Sequence, residues 1–238
     1  MKRIFLIRHG QSQANVDKTL LLNTPDHAIG LSDDGVQQAV GAGKWLETYF
    51  TQVMPGVNAF DKFRMWVSPY KRTQQTAQGL MTALGGKPNA ADRGGRTPAW
   101  CDVLEHDLLC EQQFGLFDGI LDEDLPKQFP NEYQHYKKCE DFNGRYWARM
   151  PLGESRFDVV QRVHQAFGTF HRDEDRHGIN NLIVVSHGVT LRAFVKAWCH
   201  KSIEWFESEP NPKNCSIRLI EEKTDCGYIF SGFDKIKH

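Results

Sequence analysis

Two histidines of this chain stand where an apolar run ends and a glycine follows: His9 in Leu6-Ile7-Arg8-His9-Gly10 and His187 in Val184-Val185-Ser186-His187-Gly188. An imidazole so placed can act as nucleophile or base. Arg8 adds a guanidinium fork suited to phosphate or carboxylate. One histidine after a strand is readily a hydrogen-bonded structural residue, but the repeated arrangement with an arginine attached points to one anion site. Two further segments carry matching chemistry. Ser68-Pro69-Tyr70-Lys71-Arg72-Thr73 puts Arg72 just inside a helix start, where backbone N–H groups favour anions. Leu109-Cys110-Glu111-Gln112-Gln113-Phe114-Gly115 sets one carboxyl among apolar residues. Taken singly, Arg72 reads as a surface arginine and Glu111 as a salt-bridged loop glutamate.

These residues need strands that end together. Ile4–Ile7, Phe63–Val67 and Leu182–Val185 read as buried strands, with a short strand from about Trp100 to Leu104 and a closing pair at Ser216–Ile220 and Tyr228–Phe230. Ser32-Asp33-Asp34 predicts the cap of a helix carrying Val36, Val40, Leu46 and Phe50. Pro69 suits the first turn of a helix through Ala77, Leu80, Met81 and Leu84 that stops at Gly85-Gly86. Gly153-Glu154-Ser155 opens a helix with Val159, Val163, Ala166, Phe167 and Phe170, and another runs from about 189 to 200. Residues 11–31, 52–62, 86–96 and 105–119 read as loops, and 120–152 as an inserted helical lid rich in aromatics and charges. Alternating strands and helices predict an α/β three-layer sandwich: a mostly parallel sheet with helices on both faces. Ligands of such sheets bind beyond the carboxyl ends of the strands.

The 238 residues fit one domain, 1–238, with the lid at about 120–152. With 40% hydrophobic and 11% aromatic residues, a sizeable core is expected. A net charge of −1 gives no global attraction to nucleic acid or anionic membrane. No apolar run reaches the roughly 18 residues of a membrane span. Six cysteines without a C-x-x-C pair read as free thiols, and with no leader ahead of the first strand a cytoplasmic location is expected. His9, His187 and Glu111 are residue types that ligate zinc, but neighbouring arginines oppose a cation, so no metal and no cofactor are expected.

Together, Leu-Ile-Arg-His-Gly at 6–10, Ser68-x-x-x-Arg72-Thr73, Leu109-x-Glu111-x-x-Phe114-Gly115, Gly153-Glu154-Ser155 and Ser186-His187-Gly188 resemble, in order, the motifs of the histidine phosphatase superfamily. The resemblance runs from Ile4 to about Leu191. It implies a phosphoglycerate mutase-like fold, His9 as nucleophile, His187 as its partner, Arg8 and Arg72 on the phosphoryl oxygens, and Glu111 as proton donor. Asn15 matches a family position that contacts phosphate. The implied activity is metal-independent hydrolysis of a small phosphorylated substrate, with the oligomeric state left open.

The resemblance also contains departures. In phosphoglycerate mutases the glutamate motif continues Glu-Arg-His-Tyr-Gly, and here Gln112 and Gln113 follow Glu111. Val189 stands where mutases carry an asparagine, at a substrate-binding position, and Gln11 replaces a glutamate. The first two departures favour a broad-specificity phosphatase over a cofactor-dependent mutase. A regulatory module that binds or dephosphorylates phosphoprotein is the third reading. Leu20-Leu21-Leu22 would form one rim of the pocket. Lys127, Lys137, Lys138, Arg145 and Arg149 would lie on the other.

Overall fold

The apolar runs become neighbouring strands in the computed structural model, which describes residues 1–54, 62–85 and 101–234. The strands are β1 (Arg3–Arg8), β2 (Lys62–Val67), β3 (Cys101–Glu105), β4 (Ile179–Ser186), β5 (Ile217–Glu221) and β6 (Thr224–Phe230). They form one sheet in the order β3-β2-β4-β1-β5-β6. The first four in chain order run parallel, β5 is antiparallel to β1, and β6 is antiparallel to β5. The helices are α1 (Gln13–Val16), α2 (Asp33–Gln52), α3 (Lys71–Ala83), α4 (Leu125–Gln128), α5 (Pro130–Asn143), α6 (Arg156–His177), α7 (Gly188–Trp198) and α8 (Ile203–Ser208). The expected sandwich, with a mostly parallel sheet between helices, is the architecture found.

Side-chain alternation along the strands builds two cores. Ile4, Leu6, Trp66, Leu182 and Val184 pack with Val163 and Phe170 of α6 and Phe194 of α7. Phe5, Ile7, Met65, Val67, Ile183 and Val185 pack with Leu46 of α2 and Leu80 and Met81 of α3. Strands buried on both faces have no polar side to show, which is why they read as unbroken apolar runs.

Ser32 caps α2 by accepting from the Gly35 N–H at 3.1 Å, and Ser155 caps α6 in a capping box with Asp158. The buried stripe of α2 differs from the expectation. Val36 is 45% exposed, and the inward face consists of Gly35, Gln38, Ala39, Ala42, Gly43 and Leu46. Close packing on α3 selects small residues: a Cβ added at Gly79 would lie 2.6 Å from the Ala39 Cβ. The α3 helix begins after Tyr70, so Pro69 precedes the cap instead of occupying the first turn.

Residues 11–31 are more ordered than a loop, with α1 and 3-10 turns at Lys18–Leu22 and Asp26–Ala28. The 105–119 segment likewise holds 3-10 turns at Asp107–Leu109 and Gly115–Phe117. Helix α8 had no counterpart in the sequence reading. Trp100, the 86–96 loop and most of the 52–62 loop lie outside the described residues. Helices α4 and α5 share a small core in which Phe117, Leu125, Tyr136 and Ala148 are buried.

Candidate active site

Sheet register assembles the chemistry. Arg8 of β1 pairs with Ser186 of β4, and Val67 of β2 pairs with Val185. Three adjacent parallel strands therefore end at one level, and the residues just past their ends, His9, Ser68 and His187, become neighbours. The ladder continues for one step: the His9 N–H donates to the Ser186 carbonyl and the Ser68 N–H to the Val185 carbonyl, both at 3.0 Å.

His9 Nδ1 lies 2.7 Å from the Gly10 carbonyl oxygen. A carbonyl only accepts, so Nδ1 carries the proton and Nε2 carries the lone pair. The His187 ring centroid lies 5.3 Å from that of His9. His187 Nε2 is 2.8 Å from Ser68 Oγ, while its buried Nδ1 has no partner among the described residues. The Tyr70 ring meets His187 edge-on at 4.9 Å, and Gln113 Nε2 donates to the Tyr70 hydroxyl at 2.9 Å.

A cavity of about 600 Å³ opens over these strand ends, lined by Arg8, His9, Asn15, Arg72 and Glu111. Arg8 Nη1 donates to the Pro212 carbonyl at 2.6 Å, and its buried Nε has no partner among the described residues. Arg72 closes a two-pronged pair with the Asp26 carboxylate at 2.8 and 3.0 Å and also donates to the Asp26 carbonyl at 2.7 Å. Glu111 Oε1 accepts from the Gln112 N–H at 3.0 Å and lies 3.3 Å from Thr190 Oγ1, whose single proton goes to the nearer Cys110 carbonyl at 2.5 Å. Asn15 Oδ1 accepts from the Ser12 N–H at 3.1 Å and from Asn214 Nδ2 at 3.4 Å.

One residue expected at the substrate lies elsewhere. Val189 is 8% exposed and sits in the core beneath α7, because the first turn of that helix faces the sheet layer. Of the lid cations, Lys137 and Arg145 reach the cavity, whereas Lys127 pairs with Asp124 and Arg149 with Asp158. Among Leu20–Leu22, Leu21 is the one on the cavity wall. The sequence reading missed Asp26 and Thr190. Nothing in their spacing marked them, since each meets its partner only through tertiary packing.

Gly10 serves a close approach of backbone, not of ligand. A Cβ there would meet the Gly35 carbonyl oxygen at 2.6 Å, and one on Gly35 would meet the Gln11 carbonyl oxygen at 2.0 Å. The turn carrying His9 is thus pressed directly against the start of α2. Gly35→Ala is expected to cost about 3 kcal/mol, read in thermal melts as a drop on the order of 6–12 °C. An unchanged melting point would contradict this packing.

Burial pushes both imidazoles well below their ordinary range. Arg8 and then Arg72 add to this for His9, and Arg72, His9 and Arg8 for His187. Both rings are therefore neutral near pH 7. In the unfolded chain they take up protons near pH 6.5. The folded state then binds fewer protons, so their stabilisation is complete above pH 6.5 and is lost as pH falls below it. Each ring costs about 1.4 kcal/mol per pH unit in that window. Urea midpoints should fall from pH 7 to pH 5, and less steeply in His187→Gln. Equal slopes in the two proteins would remove His187 from this account.

Among the described residues no group of three or more His, Cys, Asp or Glu is arranged to hold a metal ion, and the six cysteines are free. No helix among those residues is long and apolar enough to cross a membrane.

The profile of the histidine phosphatase superfamily (branch 1) matches residues 4–231. Phosphoglycerate mutase-like protein AT74 of Arabidopsis thaliana is 33% identical over 227 residues, which is 92% of this chain and 65% of that protein. This chain therefore spans about two thirds of that relative's length. The Saccharomyces cerevisiae broad-range acid phosphatase DET1 is 22% identical over 286 residues, 92% of this chain and 84% of the relative. Among solved structures, an alpha-ribazole phosphatase from Shigella flexneri superposes with a TM-score of 0.65 at 21% identity, over 98% of this chain and all of the other. A mycobacterial glucosyl-3-phosphoglycerate phosphatase complexed with VO3 superposes at 0.62 and 21% identity, over 92% of each chain.

Proposed function

The chain belongs to the histidine phosphatase superfamily, and on that premise we propose that it hydrolyses small phosphate monoesters through a phosphohistidine on His9. The observation that carries this reading is the His9 ring itself. Its Nδ1 is held by the Gly10 carbonyl, so Nε2 is a fixed, neutral nucleophile beside His187 in a cavity walled by Arg8 and Arg72.

In the first step Nε2 attacks phosphorus, the P–N bond forms, and the ester P–O bond breaks. Glu111 delivers its proton to the departing oxygen. Phosphoryl transfer spreads charge over the equatorial oxygens, so positioning and charge stabilisation do most of the catalysis. Arg8 and Arg72 supply two guanidinium groups, and the buried His187 ring, 5.3 Å from the His9 ring between centroids, backs the nucleophile from behind the cavity wall. The Gln112 N–H holds the Glu111 carboxylate at the cavity wall, with Thr190 Oγ1 packed beside it. In the second step Glu111 takes a proton from water, which attacks phosphorus and releases inorganic phosphate from Nε2. All of these groups belong to the protein, so no metal enters either step.

A cavity of about 600 Å³ suits a small molecule, and similarity to the yeast broad-range acid phosphatase supports a range of esters. The mutase-like relatives raise the alternative of phosphoryl exchange between phosphoglycerates. The glutamine pair speaks against it. Gln112 is 5% exposed and its amide is spent on the Glu154 carbonyl at 2.9 Å, so no cation projects from that position toward a substrate carboxylate.

Hydrolysis of p-nitrophenyl phosphate in the presence of EDTA tests the reading. Turnover that survives chelation is expected. Folded protein without turnover anywhere between pH 4 and 8 would favour a binding module. Exchange of 3- with 2-phosphoglycerate, stimulated by bisphosphoglycerate and faster than hydrolysis, would favour the mutase.

A further inference from the structure

Charge around the cavity is unequally spent. A bound phosphoryl group draws on the guanidinium groups of Arg8 and Arg72. At the outer wall Glu140 is paired with both Lys137 and Arg145. Among the described residues, what remains on the cavity wall around the leaving group is Lys18, Lys137 and Arg145 against Asp26, Asp118, Asp122 and Glu140. With Lys137 and Arg145 engaged by Glu140, Lys18 is the cation left to the three aspartates.

Asp26 is the pivotal member. It grips Arg72 through both carboxylate oxygens, the geometry in which a guanidinium binds two phosphoryl oxygens. Arg72 keeps its Nε–H and one Nη2–H for phosphoryl oxygens, so a bound phosphoryl group shares Arg72 with Asp26 and leaves that carboxylate less fully compensated beside Asp118. The two carboxylates already interact while Arg72 screens one of them: partial burial, and then the Asp26 charge, raises the Asp118 carboxyl. A leaving group that enters this space meets negative charge from two directions.

We propose that Asp26 and Asp118 select the leaving group, so that phosphate monoesters of amino alcohols are preferred over those of hydroxy acids. This rests on the phosphomonoesterase reading above and specifies its substrate class. An ammonium group adds a second cation to the Asp26 carboxylate that Arg72 shares with the phosphoryl group, and it meets Asp118 as well. A carboxylate in the same place is repelled by both aspartates, and at a separation of a few ångströms this exceeds the solvent-screened limit.

O-Phosphoethanolamine and phosphoglycolate are similar in size and opposite in terminal charge, and ethyl phosphate is a neutral reference. The wild-type protein should favour phosphoethanolamine over phosphoglycolate by about tenfold or more in kcat/KM. Asp118→Asn and Asp26→Asn should each shrink that ratio severalfold. Ethyl phosphate measured in each variant cancels any general loss of folding or activity from the comparison. Equal or better use of phosphoglycolate by the wild type overturns the proposal, as does a ratio that survives both substitutions. Calorimetric affinities of the two charged esters for His9→Ala, which needs no turnover, give the same comparison for binding. A flat affinity ratio there, together with normal p-nitrophenyl phosphate hydrolysis by the wild type, rejects the selector and leaves the phosphatase reading standing. Absent hydrolysis with a tenfold affinity ratio does the reverse.

Discussion

His9→Ala loses hydrolysis of p-nitrophenyl phosphate by on the order of 10⁴–10⁶-fold, the scale on which removal of a covalent nucleophile is felt, and it no longer takes label from a phosphate-labelled ester. The expectation follows from the geometry: the His9 Nδ1–H is committed to the Gly10 carbonyl at 2.7 Å, so Nε2 is the nitrogen available to phosphorus. His187 does not substitute for it, because its Nε2 is engaged by Ser68 at 2.8 Å. Label is trapped by quenching single turnovers at alkaline pH, where phosphohistidine survives. Retained turnover in His9→Ala, or label that maps to another residue, would end the nucleophile assignment. His187→Ala should still accept label, though slowly, and this separates the attacking ring from the assisting one.

Glu111→Gln carries the second large effect, and it depends on the substrate. The amide keeps an oxygen that accepts from the Gln112 N–H but has no acidic proton to deliver. An alkyl phosphate expels a strongly basic alkoxide, so its hydrolysis should slow by about 10²–10⁴-fold, the usual contribution of general acid catalysis. A nitrophenolate departs unprotonated near neutral pH, so the first step with p-nitrophenyl phosphate should be far less affected. Burst kinetics separate that step from the attack of water, in which Glu111 works as the base. Equal first-step losses for alkyl and aryl esters would remove Glu111 from the proton-donor role.

Sequence made the strand ends legible because burial on both faces writes an unbroken apolar run. Leu6-Ile7 and Val184-Val185 are such runs, and the residues that terminate them are the ones that meet. The helix starts at Ser32 and Ser155 were legible for a similar reason, since a cap is a local hydrogen bond between residues three apart in sequence. Contacts set by packing between distant elements were not. Val36 has the right chemistry for a core and the wrong angular position, because α2 approaches α3 through glycine and alanine. Val189 was placed at the substrate by analogy of position, whereas its turn of α7 faces the sheet. Asp26 lies within the 11–31 segment read as a loop, and its hold on Arg72 spans 46 positions of sequence.

The strand that delivers Arg8 and His9 lies between β4 and β5 and has no partner from the first half of the chain. Its end is fastened from the far side as well: the Cys215 N–H reaches the Arg8 carbonyl and Asn214 Nδ2 reaches the His9 carbonyl, both at 3.2 Å. On a ribosome that adds about 5–20 residues per second, the nucleophile is made about 10–40 s before these neighbours exist. Nascent chains released before residue 179 should thus carry every atom of His9 and no phosphatase activity, which makes synthesis of β4 and β5, and not of the nucleophile, the event that turns the site on.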